Sequence, residues 1–100
     1  MLKKKAPLTA VVIEYVVPTQ WFIDGASIQT ASFSVDVKVT EGGNTKDEKA
    51  LFVAQVVAAM PTLLGTTASV NYVVIHELPA DAWGYNGQTQ ERRYTSGKAL

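Results

Sequence analysis

The sequence predicts an α+β fold, and three observations carry that expectation. Phe33, Val35, Val37 and Val39 alternate with Ser34, Asp36, Lys38 and Thr40, the period of a strand with one core face and one polar face. Thr45 stands three positions before Glu48 at the head of an apolar run. At that spacing each side chain can bond the other residue's backbone N–H and open a helix. After the run, Val70 to Glu77 reads as a second strand, with Pro79 marking a corner and Gly84 and Gly87 a hairpin behind it.

The elements follow in chain order. Leu8 to Val17 is nearly continuously apolar and β-branched between Pro7 and Pro18, which predicts a strand buried on both faces, in the centre of a sheet or at an interface. The alternating strand is Phe33 to Thr40, and Glu41-Gly42-Gly43-Asn44 turns the chain into the capped helix. That helix is expected to carry Leu51, Phe52, Val53, Val56, Val57 and Met60 inward, to be disrupted at Pro61 and to stop at Gly65. No charged residue lies between Lys49 and Glu77, so the belt calls for cover on more than one side. Pro61 leaves too little continuous helix to cross a bilayer. Gly84 to Arg93 reads as a hairpin or extended arm, and Tyr94 to Leu100 as a polar tail.

Length and composition bound the rest. One hundred residues make a single domain, read as an N-terminal strand extension (8–32), a β-α-β unit (33–93) and the tail (94–100). A chain of this size buries roughly 60 to 68% of its unfolded surface, so a homo-oligomer is expected. Nine basic residues balance nine acidic ones, and the only cationic cluster is Lys3-Lys4-Lys5, too short for a nucleic-acid face. With no cysteine and a single histidine, disulfides, thiolate metal sites and His-rich sites are excluded. Glu14 interrupts the apolar stretch that would otherwise imitate a signal peptide, which favours a cytoplasmic protein without membrane contact.

An internal echo accompanies these elements. Val11-Val12-Ile13, Trp21 and Gly25 recur at one constant offset as Val73-Val74-Ile75, Trp83 and Gly87. Residues 8–30 thus read either as half of a repeated unit or as a coincidence of common strand and loop residues.

The β-turn-helix order, the capped start beside Glu41-Gly42 and the signature Glu77…Trp83-Gly84…Gly87 together resemble the 4-oxalocrotonate tautomerase family over residues 33–93. The resemblance implies a β-α-β unit with parallel strands, assembled into trimers or hexamers, and a cofactor-independent keto-enol isomerase acting on a small enolisable acid or ketone. Its members use an N-terminal proline as the base, because an amine in an apolar pocket can act as a neutral base. Phe33 falls at that position, and the positions of the two substrate arginines fall near Gly43 or Asn44 and on Tyr72. Trp83 matches the family's pocket aromatic, or else anchors the hairpin to the core. If another base operates, His76 with Tyr72 on the same strand face is the candidate catalytic pair, with Phe33 and Trp83 as pocket walls. Arg92 and Arg93 are then the candidates for holding a carboxylate. A hydrogen-bonded structural role for His76 is the alternative, and processing to Pro7 would be another route to a terminal proline. Two further readings stand beside the enzyme: a non-catalytic ligand-binding or assembly subunit of the same fold, and an unrelated ferredoxin-like dimeric α+β barrel.

Overall fold

The computed structural model describes residues 2 and 4–98, so Lys3 of the basic cluster and the last two residues of the tail lie outside it. Eight regular elements follow in order: β1 (Phe22–Ile23), β2 (Ala26–Ser27), β3 (Ser34–Thr40), α1 (Lys46–Leu64), β4 (Tyr72–Leu78), β5 (Gly84–Tyr85), β6 (Gln88–Thr89) and α2 (Gln90–Lys98). β3 and β4 form a parallel pair in register from Ser34 opposite Tyr72 to Thr40 opposite Leu78, with α1 as the crossover. This is an α+β architecture built on one β-α-β unit.

The local chemistry explains each element. The alternation of β3 turns Val35, Val37 and Val39 inward and leaves Ser34, Asp36 and Lys38 exposed, so the strand keeps one face for the helix. Thr45 caps α1 as expected: its hydroxyl accepts from Glu48 N at 3.1 Å, and the Glu48 carboxylate accepts from Thr45 N at 2.8 Å. Pro61 does not disrupt α1, which runs on to Leu64. A proline removes one N–H and crowds the preceding turn, and the final turn is still closed by Gly65 N–H donating to the Pro61 carbonyl at 2.9 Å. Gly65 then ends the helix at φ 76°, a backbone region that glycine enters without steric cost.

Three expectations change. Leu8 to Val17 is not a buried strand: apart from short 3₁₀ turns at its ends it is irregular, with Val12 83% and Tyr15 93% exposed. β-branched residues favour extension, but a strand also needs a neighbour to bond, and no sheet edge of the protomer reaches this segment. Second, the expected arm and tail after the hairpin fold as α2, whose first turn is capped by Thr89 Oγ1 accepting from Arg92 N–H at 3.0 Å. Third, α1 is covered by the sheet alone and has no buried residue, so the second layer of cover is missing from the protomer.

Among the described residues, the only buried hydrophobic side chains are Leu2, Phe33 and Val39. The radius of gyration is 16.9 Å, against about 13 Å for a compact domain of this length.

Candidate functional site

Two clefts lie at opposite ends of β3, separated by about 23 Å of strand at the usual rise per residue. The first sits at the strand start. Phe33 is 6% exposed, and its backbone nitrogen is a peptide N–H that donates to Asn71 Oδ1 at 3.1 Å. Ser32 Oγ reaches the same oxygen at 3.1 Å, and Asn71 Nδ2 donates to the Ala68 carbonyl at 2.6 Å. The chain before Phe33 folds back over this point, so Trp21, Phe22, Ile23 and Asp24 face Phe33 and Tyr72 across a space of about 250 Å³. Asp24 is the only charged wall. A carboxylate would meet like charge here, so the cleft suits a neutral or apolar group.

The second cleft, about 440 Å³, opens where β3 ends, and Lys5, Thr40, Tyr85, Gln90, Arg93 and Tyr94 line it. Its geometry follows from the hairpin and α2. Asn86 and Gly87 take φ 50° and 82°, the pair of left-handed residues that a two-residue type I′ turn requires. α2 then brings Arg93 back over the hairpin, its guanidinium 3.9 Å from the Tyr85 ring centroid and one Nη donating to the Tyr85 carbonyl at 2.8 Å. Stacking and hydrogen bonding hold the fork in place. Its Nε is enclosed without an acceptor. Trp83 Nε1 donates to Thr40 Oγ1 at 3.1 Å and fastens the hairpin to the strand end. Nearby, a Cβ on Gly43 would stand 3.1 Å from Lys4 Nζ. Lys4, Lys5 and Arg93 thus gather cations at the end of β3, near Gly43, whereas Tyr72 pairs with Ser34 at the opposite end of the sheet.

The residues named from the sequence separate accordingly. Phe33 and Tyr72 share the first cleft, Arg93 lines the second and Trp83 fastens its hairpin, while Arg92 is exposed on α2. His76 belongs to neither. It projects from the exposed face of β4 with Tyr72 and Val74, and its Nε2 lies 3.9 Å from Asp36 Oδ1, so it is not an enclosed structural histidine. Asp36 thus faces His76. On the helix side, the Lys49 ammonium bonds Glu77 at 2.6 Å. That bond holds the Glu77 carboxyl below its ordinary value, with burial opposing and the Gly42 N–H assisting.

Lys5, Tyr85 and Gln90 were not singled out from the sequence as site residues. The signal that places Tyr85 and Gln90 was present in Thr89-Gln90-Glu91-Arg92, a helix start that returns Arg93 to the hairpin. Nothing local in the sequence brings Lys5 there.

The family model described as "Tautomerase enzyme" matches residues 34–93. A curated relative, "Probable tautomerase K2" of Dickeya dadantii (strain 3937), is 29% identical over 59 residues, covering 59% of this chain and 88% of its own. The crystal structure of TomN, a 4-oxalocrotonate tautomerase homologue in the tomaymycin biosynthetic pathway, superposes with a TM-score of 0.58 at 26% identity. It covers 64% of this chain and 97% of TomN.

Proposed function

The chain belongs to the tautomerase family, and from that premise we propose that it is a family member without the proline-based proton shuttle, binding a small carboxylic acid in the cleft lined by Arg93 and Lys5. The observation that supports this most strongly is the nitrogen of residue 33. At the position where relatives place a basic amine, this chain has an amide N–H whose lone pair is delocalised into the peptide bond and whose hydrogen is donated to Asn71 Oδ1 at 3.1 Å. It cannot accept a proton. The buried Phe33 ring lies beside it, and Trp21 to Asp24 wall the adjoining cleft with Asp24 as its charged group.

The second cleft supplies what binding needs. A planar guanidinium held by Tyr85 and a nearby ammonium suit a carboxylate, and Tyr85 and Tyr94 offer apolar surface to the rest of a small ligand. We place such a protein in a homo-oligomer, a trimer or hexamer, acting without a cofactor. Binding of phenylpyruvate followed by calorimetry tests the reading: Arg93→Ala should weaken affinity about tenfold or more, the effect of losing a charge-assisted hydrogen bond. Unchanged affinity would overturn it.

One observation favours a second reading. His76 Nε2 lies 3.9 Å from Asp36 Oδ1 on the same sheet face as Tyr72, beyond hydrogen-bond distance but close enough for the carboxylate to attract an imidazolium, and an imidazole is the usual general base near neutral pH. Isomerase turnover abolished by His76→Gln in a protein of unchanged oligomeric state would establish that reading in place of the first.

A further inference from the structure

The N-terminal arm, residues 8–17, leads into the hairpin of β1 and β2, which folds back over the start of β3. In that hairpin Phe22 pairs with Ser27 and Ile23 with Ala26, and the Ile28 N–H donates to the Trp21 carbonyl at 3.0 Å. Asp24 and Gly25 make the turn at φ 54° and 74°, the left-handed pair of a type I′ turn. The hairpin thereby sets Trp21, Phe22 and Asp24 across a space of about 250 Å³ from Phe33 and Tyr72.

The hairpin of β5 and β6 shows which of these residues the turn itself requires. It makes the same turn with Asn86 and Gly87 at φ 50° and 82°, and the Gln90 N–H closes it on the Trp83 carbonyl at 2.9 Å. At the constant sequence offset, Asn86 stands where the first hairpin has Asp24, and Gly84 where it has Phe22. A neutral amide therefore suffices, because Asn and Asp both tolerate left-handed backbone. The turn does not need the charge of Asp24, and the strand does not need the ring of Phe22. Nor does the rest of the protomer use them. Among the described residues the Asp24 carboxylate has no hydrogen bond or ion pair, and Phe22 and Tyr72 are 60% and 65% exposed.

The groups that meet in this cleft share one preference. Aromatic faces attract cations, and an unpaired carboxylate forms charge-assisted hydrogen bonds with an ammonium. Ser32 Oγ donates toward Asn71 Oδ1 and the Val70 carbonyl, which leaves its lone pairs for an N–H donor. No Lys or Arg lines the space to neutralise Asp24 or to repel a positive charge. The carboxylate that turns away an acid thus favours a cation over a neutral molecule of the same shape. Size limits the remainder: a cavity of about 150 Å³ holds benzene, and drug-sized ligands need about 300 Å³ or more. The cleft therefore has room for one ring and a short chain.

We propose that this cleft binds a small organic ammonium ion, a primary amine on a short arylalkyl chain. Asp24 pairs with the ammonium, and Trp21, Phe22, Phe33 and Tyr72 receive the ring. The site lies at the opposite end of β3 from Arg93, so the inference does not depend on whether the Arg93 cleft binds an acid.

Calorimetric titration of the full-length protein with 2-phenylethylamine, protonated at neutral pH as the lysine side chain is, tests the proposal. The amine should bind with a dissociation constant of about 1 mM or tighter, within reach of a ligand of its size. 2-Phenylethanol, nearly the same shape without the charge, should bind about tenfold or more weakly, the effect of losing a charge-assisted hydrogen bond. Asp24→Asn copies the turn of the second hairpin and so preserves the fold, and it should bring the amine to the affinity of the alcohol. In NMR spectra the Trp21 indole N–H should shift as the amine is added. The comparison of amine with alcohol on the wild-type protein decides the matter without any variant. Equal affinity for the two, amine binding that Asp24→Asn leaves unchanged, shifts that spare Trp21, or no binding at all would each overturn the proposal.

Discussion

Residues 11–28 and 73–90 have similar local sequences and very different outcomes. Each has a Val-Val-Ile stretch, a proline corner, a tryptophan and a tight turn ending in glycine. Both turns form with paired positive φ values, yet only the second Val-Val-Ile stretch is a hydrogen-bonded strand. Turn geometry is set by the residues of the turn itself, as Asp-Gly and Asn-Gly tolerate left-handed backbone. A strand is set by what lies next to it. β4 has β3 beside it and α1 over it, whereas the arm has neither.

The difference can be tested first at the hairpins. A Cβ on Gly84 would overlap the Gln88 carbonyl and come within 2.6 Å of Thr89 Cα, while the corresponding position in the other hairpin already carries Phe22. Gly84→Ala should therefore destabilise the protein by about 1 to 3 kcal/mol, and Phe22→Ala should change stability by less than about 0.5 kcal/mol. Thermal unfolding of the two variants measures both.

A smaller effect is expected at the tryptophans. Trp83 is tied to Thr40 at 3.1 Å, and Trp21 makes no side-chain hydrogen bond among the described residues. Trp83→Phe should cost about 1 kcal/mol in denaturant unfolding for the lost bond, and Trp21→Phe close to nothing.

The smallest effect lies at Glu77, which pins the end of β4 to Lys49; its counterpart in the arm, Tyr15, has no such partner. Because the folded state lowers the Glu77 pKa, its contribution is present above the ordinary carboxylate value of about 4.3. It is lost as pH falls through the folded value. The melting temperature of wild type should therefore exceed that of Glu77→Gln near neutral pH and converge with it in acid.

The same contrast explains what the sequence made legible. The valine alternation of β3, the Thr45–Glu48 box and the Gly87 turn were readable because their causes lie within a few residues. The fate of Leu8–Val17 was not, since an apolar β-branched run shows that a strand wants burial without showing which chain supplies the cover. α2 was missed because its polar, uneven composition lacks an apolar stripe, and its start depends on a single capping hydroxyl on Thr89. The candidate site was half readable. Arg93 and Trp83 were named from sequence, but Lys5 joins the cleft only through the path of the folded N-terminal segment. The length of β3, rather than any motif, is what keeps Phe33 and Tyr72 apart from Arg93 and Trp83 in one protomer.

If the amide nitrogen of residue 33 accepts no proton, as proposed, ligand binding and isomerisation come apart. Deuterium incorporation at the carbon beside the keto group of phenylpyruvate, followed by NMR in heavy water, measures that proton transfer directly. The account predicts an exchange rate equal to that of buffer while the ligand signals show binding that Arg93→Ala weakens. Exchange accelerated well above buffer would contradict it, and its loss in His76→Gln would assign the base to His76.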